Sequence, residues 1–465
     1  MKITFWGAAK SVTGSQYVIE AGGKKLLLEC GIRQGPRDES EAINRNLPFD
    51  PAAIDAMILS HAHLDHSGNI PTLVKNGFRG DIFMTAATRD LTAVILRDSA
   101  RIQQSDTEFV NKRRQRDNQP PKEPLYTVEE AEAALKRFVG YPYERQFSPL
   151  PAAAGVSCVF HDAGHILGSA MVDLTLTENG RSVKFWFTGD LGRKNLPILK
   201  DPFQGTTADY LLTESTYGDR VHGPITDTSA KLEQIIKQVF ARKGKVIIPA
   251  FSVGRTQEVV YELHKMFDAG KLPAMPIFVD SPMSLNVTAL YRLHEECWDE
   301  EYRRDNAGHG DPLGFGRLTY ITTKEESIAL NDFDKPCVII SASGMCEGGR
   351  VLHHLKNSVG DPRNLVLIVG FQAQGTLGKR LVDKQSPVKI FGEPHELKAE
   401  IKVLNGFSAH ADKEEILDYI KGFSGGVGSV ILVHGEETQT MALAESVKAL
   451  NLPAMAPSLG EELIL

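Results

Sequence analysis

The stretch Ser60-His61-Ala62-His63-Leu64-Asp65-His66-Ser67-Gly68 constrains this chain more than any other. Four metal-capable side chains fall within six positions, just after the apolar run "AMIL". An apolar run followed by ionisable groups reads as a strand that ends at a polar site. Side chains two apart on an extended strand point the same way, so His61 and His63 can reach one ion. Asp65 and His66 follow where Ser67-Gly68 turns the chain, within reach of a second. Four ionisable groups packed at a strand end cost free energy unless they are paired or metal-bound. Imidazole with carboxylate suits zinc, and also manganese or iron.

Further ligands are expected from other strand ends. His165 in "AGHILGSA" and Asp190 in "WFTGDLG" each follow a strand-like run and lie beside glycine, where backbone approaches closely. A carboxylate can bridge two cations, which makes Asp190 the expected bridge. Histidines with no motif around them, such as His161, His264, His294, His309 and His354, are expected to be ordinary packed or surface residues.

With 465 residues, the chain is long enough for about two to three domains. No apolar run is long enough to cross a bilayer. "MKITFWGAAK" lacks a signal-peptide pattern and reads as a first strand, so a cytoplasmic location and no membrane partner are expected. Five scattered cysteines form no CxxC pair, which argues against a disulfide framework or a thiolate zinc site. The net charge of −7 does not favour nucleic acid as a partner, but a local basic cleft or a metal centre can act against it.

Short alternating or apolar runs predict strands over roughly the first 95 residues and again from "VSCVFHDAG" to "DYLLTES". Between them, "TRDLTAVILRDSARIQQ" and "TVEEAEAALKRF" read as helices, the second with a Thr127/Glu130 capping box. Residues 110–124, with Lys112, Arg113, Arg114 and Arg116, read as a charged surface loop. From about 225 the pattern alternates: "KVIIPA" then "RTQEVVYELHKMF", "CVIISAS" then "GMCEGGRVLHHL", "LVLIVGF" then "QAQGTLGKRLV". Strand, glycine-containing loop and helix in repetition predict a parallel α/β sheet. After about 390 short strands return, with one helix, "DKEEILDYIKGF".

"SHAHLDHSG", "GHILGS" and "TGDLG" together resemble the metallo-β-lactamase superfamily. "LLTESTYGDR", "FSAHAD" and "ILVHGEE" look like the three added motifs of its β-CASP nucleases, and "PAFSVGRTQE" and "SASGMCEGGR" look like loops of their middle domain. The resemblance covers nearly the whole chain. It implies an α/β fold: an αββα metallo-β-lactamase sandwich over 1–205, an inserted parallel α/β β-CASP domain over 206–392, and a sandwich segment over 393–465 that completes the metal site.

By that resemblance, His61, His63, His165 and Asp190 hold one divalent ion, and Asp65, His66, Asp190 and His434 hold the other, with zinc or manganese as the metals. Asp65, Glu214 and His410 form the catalytic set, with His410 as general acid oriented by Glu214. A histidine at the His434 position is typical of the RNA-acting branch, so the implied substrate is single-stranded RNA, cut to a 5′-phosphate and a 3′-hydroxyl. Endonucleolytic cleavage is implied, with 5′–3′ exonucleolytic action as a second mode, and family members occur as monomers and homodimers. The sequence departs from the family in one respect. The first motif usually carries aspartate, as "DCG", whereas "LLLECG" places Glu29 there. In the family that acid supports a ligand histidine, and such changes commonly cost about 10–100-fold in affinity or activity.

The middle-domain loops Ser252-Val253-Gly254, Ser343-Gly344 and Gln374-Gly375, with Arg255 and Lys379 just beyond, are candidate phosphate contacts, since helix N-termini offer free N–H groups. Three alternatives stand beside the ribonuclease reading: a DNA nuclease, an ester hydrolase of the wider superfamily, and a non-catalytic RNA-binding subunit.

Overall fold

The computed structural model describes residues 1–35, 37–222 and 225–465. The chain forms two compact units. The first comprises Met1–Lys194, Asp201–Val221 and His410–Leu465, and the second Asn195–Lys200 and His222–Ala409.

The first unit holds two sheets. One runs Glu462–Ile464, Lys2–Phe5, Tyr17–Ala21, Lys24–Leu28, Ala56–Ile58, Ile82–Thr85, Phe138–Tyr141. The other runs Ala454–Met455, Val427–Val433, Ala208–Glu214, Arg181–Phe187, Ala170–Glu178, Val156–Asp162. Their facing sides share one core in which Phe5, Tyr17 and Ile58 of the first sheet pack with Phe160, Phe187 and Leu212 of the second. Helices cover the outer sides. Leu73 of helix Ile70–Lys75 packs with Met57 and Leu59, and Ile416 and Leu443 pack with Leu211 and Leu432. Each sheet is thus buried on both faces, which is why the first five residues of strand Ala170–Glu178 are all buried. This is the expected αββα sandwich.

The second unit is built on a six-stranded sheet with every neighbouring pair parallel: Leu318–Tyr320, Ile277–Asp280, Cys337–Ser341, Lys245–Pro249, Leu365–Ile368, Glu400–Val403. Helices such as Arg255–Asp268 and Val351–Ser358 connect its strands.

The units divide the chain at other residues than 205/206 and 392/393. Glu400–Val403 pairs in parallel with Leu365–Ile368, so this late strand completes the second unit's sheet and the first unit resumes only at His410. The loop expected over 110–124 is helical in its first half. Helix Ala86–Arg116 continues through Asn111–Arg116, where lysine, arginine and glutamine are strong helix formers. The chain turns back only before Pro120-Pro121, and Asn111 clamps the return by exchanging two hydrogen bonds with Lys122. The helix expected over "GMCEGGRVLHHL" starts only at Val351, because Gly344, Gly348 and Gly349 disfavour the first turns. The Thr127/Glu130 capping box forms as expected. All five cysteines are free and buried. Among the described residues no helix is long and apolar enough to cross a membrane.

Candidate metal centre

The candidate centre lies wholly within the first unit. Strand Ala56–Ile58 delivers His61 and His63, and the short helix Leu64–Ser67 carries Asp65 and His66. His165 follows strand Val156–Asp162, Asp190 follows Arg181–Phe187, Glu214 ends Ala208–Glu214, and His434 follows Val427–Val433. Residues as far apart in sequence as His61 and His434 thus converge because their strands end on one side of the sandwich. Gly31 permits the closest approach: a Cβ there would collide with the Asp65 carbonyl oxygen.

Two donor sets surround the Asp190 carboxylate. In the first, His63 Nδ1 lies 3.1 Å from His61 Nε2 and 3.2 Å from His165 Nε2. Asp190 Oδ2 lies 3.3 Å from His61 Nε2 and 3.5 Å from His165 Nε2. In the second, His434 Nε2 lies 3.2 Å from His66 Nε2 and 3.3 Å from Asp65 Oδ2, while Asp190 Oδ1 is 3.3 Å from His66 Nε2.

These spacings fit divalent cations. Ligands about 2.1 Å from a tetrahedral zinc stand roughly 3.4 Å from one another. Both Asp190 oxygens are buried and lack a hydrogen-bond donor, which a buried carboxylate does not tolerate without a counter-charge. The four groups His61, His63, His165 and Asp190 all present ligand atoms within 4.8 Å of one another, as do Asp65, His66 and His434.

Protonation agrees with ligation. Burial, then the neighbouring imidazoles, push His61 down to about 4 and His63 to about 3, and hold His165 well below the usual histidine range. At neutral pH these rings are therefore unprotonated, the form in which an imidazole ligates a cation. Burial alone would raise Asp190, but His434, His66 and His61 hold it well below the carboxylate range. Burial alone would lower His66, yet Asp190 and Glu29 raise it. To ligate, His66 would have to offer an unprotonated Nε2 while Nδ1–H faces Glu29.

That second nitrogen is held by Glu29. The fully buried Glu29 carboxylate accepts from His66 Nδ1 at 2.6 Å, from the Ser60 N–H at 2.7 Å and from Ser60 Oγ at 2.9 Å. The Glu29 backbone is left-handed, φ 63°. Ser60 Oγ also meets His61 Nδ1 at 3.0 Å, and Thr216 Oγ1 meets His434 Nδ1 at 3.2 Å. Sequence reasoning missed Ser60 and Thr216. Their only signal is adjacency, Ser60 preceding the histidine cluster and Thr216 standing two residues after Glu214.

Beside the donor sets, His410 Nδ1 lies 3.0 and 3.1 Å from the two Glu214 oxygens and 3.9 Å from Asp190 Oδ2. Glu214 is fixed by the Leu191 N–H at 2.7 Å. Burial alone would lower His410, but the Glu214 charge and hydrogen bond outweigh it and raise the imidazole to about 9.

The candidate phosphate contacts belong to the second unit. Ser343 and Gly344 follow strand Cys337–Ser341, and Ser252 Oγ meets Ser281 Oγ at 3.2 Å. Arg255 is buried, bonds Glu258 at 2.6 Å and lies over the Phe407 ring, so it is not displayed to a phosphate. Lys379 is ion-paired to Asp383. Most motif-free histidines are satisfied locally: His161 by Glu144, His294 by Glu296 and His354 by Asp280. The His309 side chain lies outside the described ones.

Sandwich, inserted parallel unit and His/Asp cluster at the strand ends define the metallo-β-lactamase class of divalent-metal hydrolase folds. Comparison with known proteins agrees. The "Metallo-beta-lactamase superfamily" model matches residues 11–79, the "Beta-Casp domain" model 256–381, and the "Zn-dependent metallo-hydrolase RNA specificity domain" model 394–457. The chain is 36% identical over 446 residues to Ribonuclease TTHA0252 of Thermus thermophilus, covering 96% of this chain and 95% of that one. It is 29% identical over 459 residues to Transcription termination factor FttA of Methanocaldococcus jannaschii, covering 97% and 69% respectively. A crystal structure of an Enterococcus faecalis protein of unknown function shares the fold, with TM-score 0.55 at 13% identity over 100% of this chain and 99% of that one. The chain belongs to the β-CASP family of the metallo-β-lactamase superfamily.

Proposed function

We propose that the protein is a metal-dependent ribonuclease that hydrolyses internal phosphodiester bonds of single-stranded RNA, with 5′–3′ trimming as a second mode. The observation that carries the reading is the His410–Glu214 pair standing 3.9 Å from the carboxylate around which both donor sets converge. His61, His63, His165 and Asp190 would hold one zinc or manganese ion, and Asp65, His66, His434 and Asp190 the other. Such cations, when bound, supply Lewis-acid charge to the phosphate and lower the pKa of water.

The chain's own residues do the rest. Glu214 keeps His410 protonated at neutral pH, and its Leu191 anchor fixes where the imidazolium points. Nδ1 faces Glu214, so Nε2–H is the proton available to the leaving 3′ oxygen. His66 and His434 are held in the ligating tautomer by Glu29 and Thr216. The products would be a 5′-phosphate and a 3′-hydroxyl. Ser252 and the Ser343-Gly344 loop remain the proposed phosphate contacts. A non-catalytic binding subunit fits poorly, since such a protein need not keep a complete donor set and a positioned acid.

We place the enzyme in the cytoplasm, where five buried free thiols stay reduced. We also infer a homodimer. Helix Ala86–Arg116 displays Ile102 and Phe109 on one face, 54% and 76% exposed. In an antiparallel pair centred on Phe109, Asp106 of each copy would face Lys112 of the other, a self-complementary pattern.

Cleavage of a 5′-labelled single-stranded RNA tests the reading, with metal content measured on the same sample and a matching DNA strand beside it. Wild type should give metal-dependent internal fragments from RNA, lost in His410→Ala and in EDTA. Cleavage that survives EDTA, or a metal-loaded protein that cuts neither strand, would overturn it.

A further inference from the structure

The second unit presents two aromatic rings to solvent at the C-terminal end of its parallel sheet. Phe251 follows strand Lys245–Pro249 and is 42% exposed, and Phe371 follows the adjacent strand Leu365–Ile368 and is 51% exposed. An apolar residue just past a buried strand ordinarily folds back over the core, and nearby Val253 and Val369 are buried in this way. These two do not, although their backbones are fixed. The Phe251 carbonyl accepts from the Thr256 N–H at 3.2 Å and from Thr256 Oγ1 at 2.8 Å. Gln372 Nε2 donates to the Phe371 carbonyl at 2.9 Å and to the Gly344 carbonyl at 2.9 Å, tying the Phe371 loop to the Ser343-Gly344 loop. The Phe251 ring rests on Gly344, where a Cβ would stand 2.9 Å from the ring. Rigid loops that hold bare rings outward pre-organise a surface, and the C-terminal edge of a parallel sheet is where such folds bind ligands.

We propose that Phe251 and Phe371 form a base-stacking platform for single-stranded RNA. The proposal rests on the ribonuclease reading and adds how the strand is gripped. A phenylalanine ring offers a π face and no hydrogen-bonding group, so it holds any base without reading its edge. The neighbouring hydroxyls of Ser252 and Ser343 and the backbone of Gly344 suit phosphates between stacked bases. A binding surface for another protein would draw on the same apolar area, but it would not require aromatic rings in particular.

The test uses the full-length metal-loaded protein and a cleavage-resistant phosphorothioate RNA carrying 2-aminopurine, whose fluorescence falls when the base stacks. Phe251→Leu and Phe371→Leu keep apolar bulk and remove the π face. Phe251→Trp and Phe371→Trp keep it. Each leucine variant should bind roughly 5- to 100-fold more weakly, the range for one lost stack at about 1.4 kcal/mol per tenfold. Quenching should weaken in the leucine variants and survive in the tryptophan ones. Leucine variants with wild-type affinity and quenching would overturn the platform while leaving the ribonuclease reading intact. A changed sedimentation coefficient with unchanged RNA affinity would assign the surface to a protein contact and overturn it as well. A wild-type protein that binds no RNA would remove the underlying reading, and the platform with it.

Discussion

Replacing Glu29 by Gln removes one charge and keeps the side chain's shape. The carboxylate accepts three hydrogen bonds, from the Ser60 N–H, from Ser60 Oγ and from His66 Nδ1. The Ser60 N–H can only donate, so it claims the one oxygen of the amide. The amide NH₂ must then face Ser60 Oγ and His66 Nδ1. The hydroxyl can turn and accept. His66 Nδ1 accepts only if its proton moves to Nε2, the nitrogen 3.2 Å from His434 Nε2 and 3.3 Å from Asp190 Oδ1. A protonated Nε2 cannot ligate. The lost bond to a charged acceptor costs about 1.5–3 kcal/mol, which is roughly 10- to 100-fold in affinity. The loss should fall on the ion that Asp65, His66 and His434 would hold, and spare the one that His61, His63 and His165 would hold. The assay is a chelator titration of metal-loaded wild type and variant, counting ions retained per chain. The variant should drop to one ion at roughly 10- to 100-fold less chelator than wild type. Equal retention of both ions across the titration would refute the tautomer argument.

Glu214→Gln should move the alkaline limb of the pH–rate profile to lower pH. The acid form of His410 is present below its pKa and is lost as pH rises through it, and Glu214 is what lifts that pKa to about 9 against burial. An unmoved limb would mean that His410 is not the proton donor. Asp190→Asn should reduce the metal content by both ions, since one oxygen faces each donor set; retention of either ion would show that Asp190 is not the bridge. Gly31→Ala should destabilise the fold by about 1–3 kcal/mol in urea unfolding, because the new methyl overlaps the Asp65 carbonyl oxygen. Phe109→Glu should abolish any dimer seen by sedimentation, and a dimer that survives it would place the interface elsewhere.

The candidate metal centre was legible because ligation demands particular atoms. Histidine and aspartate in close sequence order after an apolar run leave few other uses, and His61, His63, Asp65 and His66 needed only local geometry to be recognised. The parallel sheet was legible for a related reason, since strand, glycine loop and helix repeat with a local period. What the sequence did not disclose depends on contacts between distant segments. Glu400–Val403 is four residues long and is assigned to the second unit only by its pairing with Leu365–Ile368. The last turns of helix Ala86–Arg116, from Asn111 on, resembled a charged loop because their stability comes partly from Asn111 clamping the returning chain.

Glu29 shows both sides of this. The sequence marks it as a departure and cannot say whether its longer side chain still reaches a ligand histidine. The structure shows that it does, at 2.6 Å, and the backbone is left-handed at Glu29, φ 63°, and at His434, φ 49°. Non-glycine residues held there cost about 1–3 kcal/mol each. Both strained positions contact His66, one through Nδ1 and the other through Nε2. Nδ1 toward Glu29, with Nε2 toward His434 and Asp190, is the ring orientation that a ligand role for His66 would need.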